Sequence, residues 1–103
     1  MTTGVTMEWL MEDAIELDAG LSLARMTVAS DVTSEAHRHP NCSETVHVLS
    51  GRIEQRRGGE WLALGPGGTA LIPRGVVHQT RNVGAEPAVM MIAYSSGSRI
   101  YER

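Results

Sequence analysis

Three of the four histidines in this chain are spaced so that their imidazoles could meet one carboxylate. His37 and His39 are two residues apart, and on an extended strand both side chains would point to the same face. Residues 40–43 predict a turn, after which Glu44 begins an alternating strand. Glu44 can therefore share the inward face with the histidine pair.

A later segment of the chain supplies another donor for the same site. Residues 67–82 predict a strand, a tight Pro-x-Gly turn at 73–75 and a second strand that begins near His78. An inward His78 would complete a set of three imidazoles and one carboxylate, which suits a divalent transition metal. The fourth histidine, His47, lies on the opposite strand face from Glu44, and we assign it to packing or to an interface.

The elements that must position these residues are short strands. Glycine and proline divide the chain into segments of four to nine residues that are rich in β-branched and aliphatic side chains. The main segments are residues 21–29, 44–49, 52–57, 61–64, 69–72, 77–82 and 88–94. Short strands separated by turns at near-regular spacing predict an antiparallel all-β sandwich or barrel.

The N-terminal stretch, residues 7–17, allows two interpretations. Its apolar positions could form a helical stripe, or residues 15–17 could be an edge strand before the turn at Gly20. We favour the strand. In either case, residues 1–20 are expected to cover a sheet edge, within the chain or across a dimer.

Composition excludes several classes of function. The net charge is −3 and all nine basic residues are arginine, which argues against a nucleic-acid surface and excludes lysine-based Schiff-base chemistry. No apolar run approaches the length of about 20 residues that spans a bilayer. The single cysteine, Cys42, rules out an internal disulfide framework and fits a reducing compartment. We therefore expect a cytoplasmic protein without nucleic-acid or membrane partners.

The spacing of the candidate ligands resembles a known family. Residues 37–51 follow the pattern His-x-His, four residues, Glu, six residues, Gly. Residues 67–82 follow the pattern Gly, five residues, Pro-x-Gly, two residues, His, three residues, Asn. These are similar to the two signature motifs of the cupin superfamily, and the 15 residues between them match small single-domain cupins. One departure is Asp31, where the first motif commonly has glycine.

The resemblance implies an all-β fold, a double-stranded antiparallel β-helix or jelly-roll barrel of the RmlC-like type. It implies one domain over residues 1–103, with the N-terminal edge segment at 1–20 and the cupin motifs at 37–51 and 67–82. Small cupins have exposed sheet edges that pair across a two-fold axis, so we expect a homodimer.

The resemblance also implies one divalent metal ion with two or three coordination positions left for water, substrate or dioxygen. The ligands would be His37, His39, Glu44 and His78. This donor set suits iron, manganese, nickel, copper or zinc without choosing among them. One carboxylate against a divalent ion leaves a net charge of about +1, which favours an anionic or enolate-like ligand that binds through oxygen.

Three functions remain open at this point. The first is a metal-dependent enzyme acting on a small anionic or enol-type substrate as a dioxygenase, decarboxylase, isomerase or lyase, of which we favour the dioxygenase. The second is a small-molecule-binding or sensing cupin without turnover, and the third is a structural barrel. No catalytic acid or base is identified. Residues that could line the pocket are Arg25, Gln55, Thr80 and Tyr94.

Overall fold

The computed structural model describes residues 2–103 and contains eight β-strands. They are β1 (Val5–Met11), β2 (Ser22–Val28), β3 (Glu44–Ser50), β4 (Ile53–Arg57), β5 (Glu60–Leu64), β6 (Thr69–Ile72), β7 (His78–Asn82) and β8 (Ala88–Tyr94). Residues 2–103 contain no helix, which agrees with the predicted all-β class. Accordingly, this part of the chain has no helix that is long and apolar enough to cross a membrane.

The strands form two antiparallel sheets that share one core. The larger sheet has the order β1-β2-β8-β3-β6, and the smaller has the order β5-β4-β7. Buried apolar side chains from both sheets pack into a single cluster, to which β3 contributes Val46 and Val48 and β4 contributes Ile53. The core therefore lies between the two sheets.

Strand β3 shows the alternation that the sequence predicts. Glu44, Val46 and Val48 are buried, whereas Thr45 and His47 are only half-buried. Because side chains alternate along a strand, the three buried residues project into the space between the sheets. The same alternation therefore places Glu44 in the interior and the two valines in the core.

The N-terminal segment forms a strand, but this strand does not lie at residues 15–17, where the sequence predicted it. Strand β1 occupies residues 5–11 and pairs with β2 at the edge of the larger sheet. Residues 15–17 lie in turns. The pairing is set by Val5, Met7 and Trp9, which pack against the core, whereas Leu17 is 84% exposed. The expectation that this segment covers a sheet edge within the chain is met.

Among the residues with left-handed backbone conformations, Gly51 and Asp31 bear on the predicted motifs. Gly51 has a φ of 87° in the turn between β3 and β4, and a Cβ built there would lie 2.7 Å from the Cα of Ala88. Asp31 has a φ of 63°, a conformation that glycine favours and aspartate tolerates. The departure from the family pattern at Asp31 therefore leaves the turn itself intact.

Replacing Gly51 with alanine is expected to destabilise the fold more than the same change at Gly20. Gly20 has a similar φ of 78°, but nothing lies within 4 Å of a Cβ built there. Both variants carry the conformational cost of a left-handed alanine, roughly 1–3 kcal/mol, and only Gly51→Ala adds a backbone clash. Urea unfolding of both variants measures the difference. Equal free energies of unfolding would contradict this account of Gly51.

The homodimer remains a prediction. Strands β1 and β6 end the larger sheet, so each has one unpaired edge within the chain. Leu71 on β6 is 54% exposed, which leaves an apolar side chain at one of these edges. Light scattering is expected to give about twice the chain mass of 11.1 kDa. A monomer mass at high protein concentration would refute the dimer.

Candidate metal centre

The four candidate ligands reach the interior from three parts of the chain. Glu44 is the first residue of β3 in the larger sheet, and His78 is the first residue of β7 in the smaller sheet. His37 and His39 precede β3 in a segment where His37 and Arg38 form isolated bridges and no regular strand is present. The backbones of His37 and His78 exchange hydrogen bonds of 3.0 and 2.8 Å, which fixes this segment against the smaller sheet.

The ligand atoms of the four residues converge. One donor atom from each of His37, His39, Glu44 and His78 lies within 4.8 Å of all the others. The Nε2 atoms of His39 and His78 each lie 3.2 Å from Oε1 of Glu44. Two ligands at right angles around an ion, with bonds of about 2.0–2.2 Å, would be about 3 Å apart. These spacings therefore fit two adjacent ligand positions on one metal ion.

Backbone carbonyls orient the three imidazoles. Nδ1 of His37 lies 2.7 Å from the carbonyl oxygen of Glu35, and Nδ1 of His39 lies 2.8 Å from that of Ile100. Nδ1 of His78 lies 3.0 Å from the carbonyl oxygen of Val76. A carbonyl can only accept a hydrogen bond, so each neutral ring carries its proton on Nδ1 and its lone pair on Nε2. This is the orientation that metal-ligating histidines require.

Unpaired polar atoms support a cation at this point. Among residues 2–103, four buried side-chain nitrogen or oxygen atoms have no hydrogen-bond partner. Three of them are Nε2 of His39, Oε1 of Glu44 and Nε2 of His78. Buried polar atoms are normally satisfied, and atoms that are not call for an explanation such as an ion. The residues present therefore fit a divalent metal.

Burial and the contacts among these residues shift the pKa values of three members of the cluster. Burial acts to raise the pKa of Glu44, but its contacts with His39 and His78 outweigh burial and lower the pKa to about 2. Burial acts to lower the pKa of His78, but the contact with Glu44 outweighs it and raises that pKa above its ordinary value of 6.5. Burial lowers the pKa of His37 to about 4. Glu44 is thus anionic at every pH at which the histidines can bind a metal.

A small cavity opens above the cluster. Its volume is about 50 Å³, whereas a single water needs about 10–15 Å³ by the same measure. There is room for a metal ion and a ligand of a few heavy atoms. The residues lining the cavity beside the cluster are Thr2, Val5, Met7, Met26, Ser34, Glu35, Thr80, Tyr94, Arg99 and Tyr101.

Two of the four predicted pocket residues, Thr80 and Tyr94, line this cavity. Gln55 is fully buried and accepts a hydrogen bond of 2.6 Å from the Thr80 hydroxyl, but it does not line the cavity. The prediction for Arg25 is wrong. Its side chain lies on the outer face of β2 and pairs with Glu8 at 2.9 Å.

Sequence reasoning missed eight of the cavity residues, among them Glu35, Arg99 and Tyr101. The Tyr101 ring stacks on the His37 imidazole with centroids 4.3 Å apart, and its hydroxyl donates to the Glu35 carboxylate at 3.1 Å. Arg99 and Tyr101 follow the last strand in a stretch without hydrophobic periodicity. No pattern in the sequence indicated that this stretch returns to the site.

Two other candidate side chains lie outside the cluster. Nδ1 of His47 is 2.7 Å from the Thr69 hydroxyl oxygen, on the outer face of the larger sheet, which agrees with its predicted exclusion from the site. Cys42 is buried and free. Burial and the nearby charge of Glu44 raise the pKa of the Cys42 thiol, which keeps it protonated and unsuited to bind a metal.

Comparison with known proteins settles the family. The Cupin_2 family model, a cupin domain, matches residues 24–94, which include all four clustered residues. This chain belongs to the cupin family. The predicted double-stranded β-helix fold is confirmed by a solved protein with that domain from Klebsiella pneumoniae. Its TM-score is 0.83 at 21% identity, with 100% of this cupin and 88% of that chain covered.

Two further relatives are longer proteins. Germin-like protein 3-8 from Oryza sativa subsp. japonica is 34% identical over 82 residues, which are 75% of this cupin and 36% of the relative. A solved structure of oxalate oxidase has a TM-score of 0.88 at 25% identity and covers 99% of this cupin and 56% of that chain. This cupin therefore spans about a third of the first protein and about half of the second.

Metal affinity is expected to fall as the pH is lowered. A proton on Nε2 of His78 competes directly with a metal. Because the contact with Glu44 outweighs burial and raises the pKa of His78, this competition begins at a higher pH than it would for a free imidazole. Glu44, with a pKa of about 2, stays ionised and does not contribute to this pH dependence. Below the pKa of His78, the apparent affinity should drop by about tenfold per pH unit. Competition with a chelator between about pH 8 and pH 5 measures this slope, and a pH-independent affinity would contradict it.

Proposed function

We propose that this cupin binds one divalent transition metal ion through His37, His39, Glu44 and His78 and acts on a small organic acid. The observation that carries the proposal is the set of unpaired, buried donor atoms facing a cavity of about 50 Å³. Iron, manganese, nickel, copper and zinc all accept this donor set. The volume of the cavity restricts the ligand to a few heavy atoms.

The ion would supply a Lewis acid at which an oxygen ligand is polarised. Glu44 contributes one negative charge, so the occupied site would keep a net charge of about +1 and attract an anion. Val5, Met7 and Met26 form an apolar wall on the same cavity. Such a wall excludes water, and electrostatic attraction within the cavity is stronger as a result.

The two tyrosines of the cavity act as hydrogen-bond donors. Burial and the charge of Glu44 raise the pKa of Tyr94 well above its ordinary value. Burial and the hydrogen bond to Glu35 raise the pKa of Tyr101. Both phenols therefore stay protonated at neutral pH. Neither can serve there as a phenolate base, and Tyr94 is the one whose hydroxyl is not already donated to Glu35.

The similarity to oxalate oxidase supports a small carboxylate as the substrate class. Oxidation with dioxygen is the reaction we favour, with decarboxylation, isomerisation or elimination as the remaining options. The free and buried Cys42 fits a reducing compartment, and a cytoplasmic location is part of the proposal. Binding of a carboxylate without turnover would indicate a sensing module instead.

The proposal is tested by elemental analysis of protein purified without chelator, followed by assays with oxalate and glycolate. We expect about one metal ion per chain and product formation that consumes dioxygen. Product without oxygen uptake would replace the oxidase with a lyase, isomerase or decarboxylase. A well-folded protein that takes up no metal would refute the proposal.

Two variants test the ligand set. His78→Ala and Glu44→Gln should each weaken metal binding by at least about 100-fold, because even an outer hydrogen-bonding partner of a metal ligand contributes 10–100-fold. The backbone hydrogen bonds of His78 survive the change to alanine, so the fold should persist. His47→Ala is the matched control and should keep full metal content. Unchanged metal content in His78→Ala would remove that residue from the assignment.

A further inference from the structure

Arg99 follows β8 and places its guanidinium among three aromatic rings. Its Cζ lies 4.9 Å from the Trp9 ring centroid, 5.3 Å from that of Tyr94 and 5.4 Å from that of Tyr101. Cation–π contacts at such distances hold a guanidinium in place without neutralising its charge. The arginine is thus positioned on the cavity wall while its charge stays available.

The charge of Arg99 has no partner in the described chain. Five other arginines each pair with a carboxylate within residues 2–103, namely Arg25, Arg38, Arg57, Arg81 and Arg103. The structure gives Arg99 no such ion pair in that range. Its Nε is the fourth of the buried polar atoms without a hydrogen-bond partner. The side chain as a whole is half-buried, but this enclosed Nε–H lacks an acceptor, which costs free energy and leaves the guanidinium free to bind an anionic ligand at the cavity.

The backbone on either side of Arg99 is fixed to the metal-binding segment. The Asn41 side-chain amide donates to the carbonyl oxygen of Ser98 at 3.0 Å, and its carbonyl accepts from the backbone N–H of Ile100 at 2.9 Å. Asn41 itself lies in the turn between His39 and Glu44. One amide side chain therefore sets the position of Arg99 relative to the candidate ligands.

One carboxylate that shares the cavity with Arg99 is already engaged. Glu35 lines the same cavity, but its Oε2 accepts from Tyr101 and its Oε1 pairs with Arg103 at 3.1 Å. Arg99 and the cluster of His37, Glu44 and His78 thus remain as two separate attractive points for negative charge on one small cavity.

We propose that Arg99 determines specificity by binding the carboxylate of a substrate whose second oxygen group binds at the metal. This rests on the proposed function and narrows its substrate class to short acids with two oxygen groups, such as 2-hydroxy acids and dicarboxylates. The guanidinium offers a planar fork of donors that matches a carboxylate. The small cavity favours an acid whose two groups are on adjacent carbons.

Binding of glycolate and of its neutral amide, glycolamide, to the Mn²⁺-loaded protein tests the inference by calorimetry. Arg99→Met keeps the length of the side chain against the rings but removes the charge. It should weaken glycolate binding by about 10- to 100-fold, because the loss of hydrogen bonds to a charged group lowers affinity by about that factor. The affinity for glycolamide should change by less than about twofold. The glycolate affinity of Arg99→Lys should lie between those of the unchanged protein and Arg99→Met.

The matched control is Arg52→Met, which removes an exposed arginine just beyond the far end of β3 from Glu44. That strand of seven residues separates the two positions by about 20 Å. Arg52→Met should bind both probes as the unchanged protein does. If Arg99→Met does not fold, Arg99→Gln gives the same comparison.

Mn²⁺ uptake, measured first, separates the two proposals. Uptake by all variants, with glycolate binding lost only when Arg99 is replaced, supports the inference. Unchanged glycolate affinity in Arg99→Met, no glycolate binding by the unchanged protein, or an equal loss for glycolate and glycolamide would overturn this inference alone. No Mn²⁺ uptake by the unchanged protein would overturn both.

Discussion

A buried carboxylate surrounded by imidazoles is the constraint on which the site depends. Glu44 is 5% exposed, and its Oε1 faces Nε2 of both His39 and His78. A carboxylate so placed must be compensated, by a proton on an imidazole or by a cation among the donors. Burial lowers the pKa of His78, but the contact with Glu44 outweighs burial and raises it, so a proton on this imidazole is one way to supply that compensation. A divalent ion would replace that proton and satisfy every inward-facing donor at once.

The orientation of the donors is built into the backbone. Each imidazole is held by a carbonyl, and the three carbonyls belong to Glu35, Val76 and Ile100 in separate segments. Only when these segments are in place do all three lone pairs converge. The convergence of the donors is therefore a consequence of the folded barrel as a whole. The preorganisation that results is what allows a small site to bind an ion without large rearrangement.

Local sequence signals predicted most of the fold and all four clustered side chains. Alternation in β3 placed Glu44 inward, whereas His37 and His39, which were predicted on an extended strand, reach the cluster from a segment without a regular strand. Arg25 was placed wrongly because periodicity does not say which face of β2 is inward until its register with β1 and β8 is known. Arg99 was missed for another reason. Its position depends on contacts across the fold, such as the two hydrogen bonds from Asn41, and these leave no periodic trace.

The C-terminal segment completes the site. Its backbone orients His39 through the carbonyl of Ile100, Tyr101 covers the ring of His37, and Arg99 adds a positive charge to the wall. Without this segment, the cavity would hold one attractive centre for an anion, at the metal. With it, the cavity wall carries a second, the Arg99 guanidinium. Under the proposal that Arg99 binds a substrate carboxylate, the specificity of the site would be set by the same stretch that orients His39.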